Sequence, residues 1–152
     1  MADLPPPRHG VTSEAPRWAK HLPWIDGCAA LSAGVLVLVL REVFVHTHGL
    51  TRGLLTVIGA VNLAYAIPGL TLGSLEKRPS WLLWLLVGAN LAWAVVCVVL
   101  VLWVSSSARW LGLGHIVGEG VLVTVLAALE VRYARVILGE GEGAPATSPG
   151  AA

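Results

Sequence analysis

Apolar residues fill most of the central part of this chain, and one apolar stretch is longer than the others. From Pro79 to Ala108 no residue carries a formal charge, and the segment LLWLLVGANLAWAVVCVVLVLW lies in its middle. A bilayer core of about 30 Å is crossed by roughly 20 apolar residues in an α-helix. The pattern therefore predicts a membrane-spanning helix.

Three further apolar segments flank it, separated by short polar turns. Together they predict helices over about 23–45, 53–73, 81–104 and 110–135. Short connections make consecutive helices antiparallel, so we expect an all-α, up-down-up-down bundle of four transmembrane helices within 23–138. The polar segments outside it, a proline-rich stretch at 1–22 and a glycine-rich tail at 139–152, are predicted to be disordered.

Composition agrees with a membrane protein. The chain has 152 residues, of which 56% are hydrophobic and 12% are charged, whereas about a quarter of the residues of a soluble domain are charged. Its net charge of +1 gives no basic surface for a nucleic acid. The partner predicted from composition is the lipid bilayer.

The basic residues predict an orientation. One side of the membrane would carry most of them: Arg8, Arg17, Lys20, Lys77, Arg78, Arg132 and Arg135. The other side would carry Arg41, Arg52 and Arg109. Because cytoplasmic segments are rich in Lys and Arg, both termini are predicted to be cytoplasmic. Arginine outnumbers lysine, and Ala, Gly, Val and Leu abound, which indicates a high-GC bacterial genome and hence a bacterial inner membrane.

Small residues predict where helices approach closely. The segment 27–34 (GCAALSAG) would lie at the depth of 69–73 (GLTLG), and 114–118 (GHIVG) repeats the Gly-xxx-Gly spacing in the last helix. Such spacing lets helix backbones pack together inside lipid. A glycine-lined face also leaves open a homo-oligomer or another membrane protein as a partner.

Four polar residues are predicted to form a cluster inside the membrane. Asn62, Asn90 and Glu119 fall near the bilayer midplane, and His115 lies one turn from Glu119 on the same helix face. An acidic residue at that depth costs about 2.5–3.5 kcal/mol, so it should face the bundle and find a partner. We expect Asn62, Asn90 and His115 to be the partners of Glu119, with its carboxyl group protonated or hydrogen-bonded at neutral pH.

Three further residues are expected at the edge of this cluster. Tyr65 and Trp93 follow Asn62 and Asn90 by three residues and share their faces. Glu130 lies about 20° round the last helix from Glu119. The whole set is compatible with two roles: hydrogen bonds that hold the helices together, or a site that binds a proton or a ligand.

Other chemistry is weakly supported by the residues. His46 and His48 lie in an outer turn with His115 below them, and three histidines can bind a metal, but loop histidines are usually only solvated. Haem ligation between helices needs paired histidines inside the membrane, and only His115 is there. Asp26 is interpreted as a first-turn residue that compensates the helix dipole. We therefore expect no cofactor, no metal and no enzymatic activity.

The arrangement from about Trp24 to Arg135 resembles an uncharacterised group of short bacterial four-helix integral membrane proteins. The resemblance is carried by the aspartate that opens the first helix, by Asn90-Leu-Ala-Trp93, and by Glu130-x-x-Tyr133 in the last helix. Since the group has no assigned activity, it implies an architecture and no catalytic residues. The sequence favours a structural or accessory membrane protein; the alternative is a small proton-coupled transporter or ligand-binding protein that uses Glu119 and His115.

Overall fold

The computed structural model describes residues 16–140 of the chain. This part folds into a 3₁₀-helix, Arg17–His21, followed by α1 (Leu22–Val39), α2 (Arg41–His48), α3 (Arg52–Ser74), α4 (Ser80–Val104), α5 (Trp110–Arg132) and α6 (Ala134–Ile137). No strand occurs within it. Four helical segments are long and apolar enough to cross a membrane: Arg17–Val39, Arg52–Ser74, Ser80–Val104 and Trp110–Arg132. The predicted all-α fold is confirmed, and the chain has the features of a multi-pass membrane protein.

The first predicted helix is in fact two helices. The hydrophobic pattern predicts continuity over 23–45, but the backbone breaks at Leu40, with φ −92° and ψ 13°, and α2 then continues to His48. The break lies just before two consecutive charged residues, Arg41 and Glu42. The guanidinium of Arg41 donates to Thr56 Oγ1 at 3.1 Å, and Glu42 accepts from Arg52 at 2.6 Å. The hydrogen bond from Arg52 lowers the pKa of the Glu42 carboxyl group.

The last predicted helix, 110–135, is interrupted in the same way. Tyr133 separates α5 from α6 with φ −107° and ψ 17°, and helical structure resumes until Ile137. Part of the N-terminal segment predicted as disordered is also folded, because Ala19 in the 3₁₀-helix is fully buried and the Trp18 ring packs edge-on against Tyr133 at 5.3 Å. The rest of that segment, 1–15, and 141–152 of the C-terminal tail lie outside the described residues.

The long helices pack as two close pairs, α1 with α3 and α4 with α5. Glycine makes the first pair possible. A Cβ atom on Gly27 would lie 2.6 Å from the Leu70 backbone nitrogen, and one on Gly69 would lie 2.9 Å from the Gly27 Cα. The two backbones are therefore in direct contact, as predicted for close packing of helices in lipid.

Apolar side chains form two separate clusters, one at each end of the bundle. The first cluster lies where α1 and α4 begin and where α3 and α5 end, and it includes Leu22, Leu72, Leu83 and Ala127. The second joins the opposite ends of the same helices and is composed of Val37, Leu50, Leu55, Ile58, Cys97, Val104 and Ile116. The buried polar side chains of the bundle belong to neither apolar cluster.

Candidate functional site

Glu119 on α5 is held by side chains from two other helices. Asn62 Nδ2 on α3 donates to Glu119 Oε1 at 2.7 Å, and Trp93 Nε1 on α4 donates to the same oxygen at 2.9 Å. We call these three residues the Glu119 triad. Asn62 is one of the expected partners of Glu119, whereas Trp93 is expected only at the edge of the predicted cluster.

A second group, the inner polar cluster, contains Asp26, Tyr65, Asn90 and Glu130. Tyr65 Oη donates to Asp26 Oδ2 at 2.5 Å, and Asn90 Nδ2 donates to the same oxygen at 3.0 Å. Asn90 Nδ2 also lies 3.5 Å from Glu130 Oε2. The expectation that Asn90 contacts Glu119 is therefore wrong, because its amide nitrogen is used by two other carboxyl groups.

Three members of the inner polar cluster are almost completely buried. Asp26 is 2% exposed, Asn90 is 1% exposed and Glu130 is fully buried. Two of their atoms, Asn90 Oδ1 and Glu130 Oε1, are enclosed without a hydrogen-bond partner in the described part of the chain. Buried acceptors of this kind are uncommon in folded proteins and call for a specific explanation.

A cavity of about 250 Å³ lies beside both groups. All four long helices contribute to its wall, which is mostly apolar. Its polar or aromatic lining residues are Asp26, Asn62, Tyr65, Asn90, Trp93 and Glu119, and the others include Ala29, Ala30, Ala33, Ala89, Ala92 and Leu126. The cavity exists because alanines line it where larger side chains would fill the space between the two helix pairs.

His115, on α5, contacts the aromatic rings of α2. Its ring packs against the rings of His48, at 5.4 Å between centroids, and Phe44, at 5.8 Å. Within 16–140 no hydrogen bond joins His115 to Glu119, although the two residues share a helix face. The prediction that His115 is a partner of Glu119 is therefore wrong. Burial lowers the pKa of His48, and the neighbouring His115 ring lowers it further.

Asp26 is the residue whose role the sequence pattern does not reveal. The pattern suggests that it compensates the helix dipole, but it is the fifth residue of α1 and contacts Tyr65 and Asn90. Its depth along α1 could have indicated this role, because α1 begins and α5 ends on the same side of an antiparallel bundle, which brings Asp26 towards Glu130. Glu130 is separated from Glu119 by about 16 Å along α5, and so it joins the inner polar cluster.

The site offers carboxyl groups, amides and an indole in a largely apolar space. Within 16–140, no group of three or more His, Cys, Asp or Glu side chains is placed to hold a metal ion. The arrangement can exchange protons, accept hydrogen bonds and surround an apolar molecule. Comparison of the chain with family models, curated proteins and solved structures found no match.

Proposed function

We propose that this chain is an integral membrane protein that binds a small, mostly apolar molecule between its two helix pairs. The sequence favours a structural or accessory function, with a proton-coupled or ligand-binding protein that uses Glu119 and His115 as the alternative. The present proposal keeps ligand binding and Glu119, whereas His115 does not line the cavity. The observation that carries the proposal is the cavity of about 250 Å³. An apolar cavity of about 150 Å³ is already large enough to hold benzene.

The polar groups at the cavity distinguish a binding site from simple interhelical bonding. Side chains that only hold helices together would use their polar atoms on each other. Here Asp26 accepts two hydrogen bonds through Oδ2 alone, and Glu119 accepts two through Oε1 alone. The second oxygen of each carboxyl group receives no hydrogen bond from residues 16–140, and both residues line the cavity. Those oxygens are available to a ligand.

The distribution of basic residues supports a location for this function. Lys77 and Arg78 lie in the loop between α3 and α4, on the side of the N-terminal segment and the end of α5. We place both termini in the cytoplasm and the protein in a bacterial inner membrane. The ligand would then reach the cavity from the lipid or from either aqueous side.

Saturable binding tests this proposal. The protein is reconstituted in lipid nanodiscs and titrated with 1-aminoanthracene, a neutral aromatic probe whose fluorescence increases in apolar surroundings, and empty nanodiscs correct for partition into lipid. We expect saturable binding to the native chain. Ala89→Phe, which fills the cavity wall, should abolish binding, whereas Ala60→Phe, on the exposed surface of α3, should not.

The opposite result would count against the site. If the native chain binds no more probe than empty nanodiscs, or if Ala89→Phe binds as well as Ala60→Phe, the cavity is not a binding site. Circular dichroism and gel filtration establish that each variant is folded, and Ala92→Phe is a second cavity-filling change on the same helix. A negative result would leave the structural or accessory function as the better proposal.

A further inference from the structure

We propose that the ligand of the cavity is a monovalent organic cation, in which an ammonium group is joined to a compact apolar or aromatic body. This inference rests on the proposed binding function and adds the chemical class of the ligand. It follows from the charge of the lining residues, from their unused hydrogen-bond acceptors and from the apolar remainder of the wall.

The free polar atoms at the cavity are acceptors. Asp26 Oδ1 and Glu119 Oε2 receive no hydrogen bond from the described residues, because the bonds to these two carboxyl groups go to Asp26 Oδ2 and Glu119 Oε1. The donors nearby are already used: Tyr65 Oη and Asn90 Nδ2 bind Asp26, and the Glu119 triad uses the Trp93 indole. A ligand that complements this site must therefore bring donors or positive charge.

Any charge that the cavity wall carries is negative. Two acidic residues line it, and among the residues 16–140 that form its wall none is basic. Arg41, Arg52 and Arg78 bind instead to partners at the ends of the helices. Because Coulombic interactions are strong where water is excluded, a cation would favour the ionised form of Asp26 and Glu119 and be stabilised beside it, and an anion would be repelled.

The apolar part of the cavity wall favours a ligand with an apolar body over a bare inorganic ion. Alanine, valine and leucine side chains make up most of it, and they offer no oxygen ligand to a dehydrated metal cation. Trp93 and Tyr65 add aromatic surface beside the two carboxyl groups. Aromatic rings attract organic ammonium groups, and apolar walls favour an apolar body. Both features are combined in a small lipophilic amine or quaternary ammonium ion.

Two probes of nearly the same shape separate charge from size. Phenyltrimethylammonium carries a positive nitrogen where tert-butylbenzene has a neutral carbon, and each is measured by displacement of 1-aminoanthracene from the native protein in nanodiscs. We expect the cation to bind at least about tenfold more tightly than the neutral compound. Equal or tighter binding of tert-butylbenzene would overturn the cation inference while leaving the proposed binding function intact. If 1-aminoanthracene itself does not bind, both proposals fail.

Variants identify the groups responsible. Asp26→Asn and Glu119→Gln should each weaken phenyltrimethylammonium binding by about tenfold or more and leave tert-butylbenzene binding within about twofold of the native value. Glu76→Gln, an exposed residue of the α3–α4 loop, is the matched control and should change neither. Loss of affinity for both probes in Asp26→Asn and Glu119→Gln would indicate a structural role and contradict the inference. If a variant does not fold, the pair of probes on the native protein still decides between a cation and a neutral ligand.

Discussion

The two close helix pairs of this protein use the same small residues in different ways. In the α1–α3 pair, Gly27 and Gly69 face each other so closely that neither site has room for a Cβ atom. In the α4–α5 pair, a Cβ atom on Gly114 or Gly118 would meet nothing within 4 Å. The Gly-xxx-Gly spacing of α5 therefore does not mark its contact with α4.

The real close approach in the second pair occurs elsewhere. A Cβ atom on Gly120 would lie 3.0 Å from Cys97 Cβ, so α4 and α5 meet through side chains at that level. One pair is thus packed backbone to backbone, and the other leaves more room. A small-residue motif permits close packing, but the face that it occupies on the folded helix determines whether the motif is used.

Two glycine substitutions should therefore differ greatly in their effect on stability. Gly27→Ala would place a methyl group 2.6 Å from a backbone nitrogen, which no side-chain rotation can relieve, and we expect a loss of about 3 kcal/mol in the free energy of unfolding. Gly118→Ala has open space and should change it by less than about 0.5 kcal/mol. Thermal unfolding of both variants in the same detergent measures the difference, and similar stabilities would contradict the packing described for α1 and α3.

Loss of a hydrogen bond between the two helix pairs should have the next largest effect on the free energy of unfolding. Asn90→Ala removes the amide that links Asp26 on α1 to Glu130 on α5, and we expect a loss of about 1–2 kcal/mol because two buried carboxyl groups lose a donor. Asn62→Ala removes one bond to Glu119, which keeps Trp93, so about 1 kcal/mol or less is expected. The free energies of unfolding of the two variants, measured in the same detergent, test this order. If Asn62→Ala is the more destabilising change, the inner polar cluster contributes less to the stability of the bundle than the Glu119 triad does.

Glu119→Gln should affect stability still less. Glutamine keeps an Oε1 atom that can accept from Asn62 and Trp93, so the free energy of unfolding should change by less than about 1 kcal/mol. The variant cannot exchange a proton. A purely accessory protein should therefore keep its cellular amount and assembly with Glu119→Gln, whereas a proton-coupled protein should lose its function. Quantitative immunoblotting and blue native electrophoresis measure amount and assembly, while proton-driven uptake of a radiolabelled cation by vesicles measures function.

The smallest expected effect is a pH dependence of stability caused by His48, at the end of the bundle where α2 ends and α3 begins. The pKa of His48 in the folded chain lies below the ordinary value of 6.5, so the unfolded chain takes up the proton more readily. Stability should accordingly fall as pH drops through 6.5, by less than about 1 kcal/mol because the site is partly solvated. Unfolding measured at pH 7.5 and at lower pH should show this loss in the native chain and a smaller loss in His48→Gln. An equal loss in both would exclude His48 as its source.

Much of the architecture follows from local features of the chain. Runs of apolar residues separated by short polar turns predict four spanning helices, because backbone polar groups in lipid must be satisfied within each segment. Thr51 directly precedes one of these runs, and its side chain caps α3 by accepting from the Leu54 backbone nitrogen at 3.3 Å. Helix ends were less predictable. The predicted helices run through Leu40 and Tyr133, because the hydrophobic pattern gives no sign of the breaks at these residues.

The candidate site could be predicted only in part. Depth along a helix follows from residue number, so Asn62 and Glu119 could be expected at one level. Rotation about the helix axis is fixed only when neighbouring helices pack. Within the described residues Asn90 donates its hydrogen bonds to Asp26 and Glu130, and the indole of Trp93 donates to Glu119 where an amide was expected.

Local sequence was enough to predict that the chain crosses a membrane and that its few polar side chains lie inside, because lipid solvates neither free backbone groups nor charges. It could not predict that those side chains divide into two groups or that alanines leave a cavity beside them. Both features depend on distances between helices that are far apart in the chain. Those distances are set by side-chain volumes on facing surfaces, and the helices must pack before it is known which surfaces face each other.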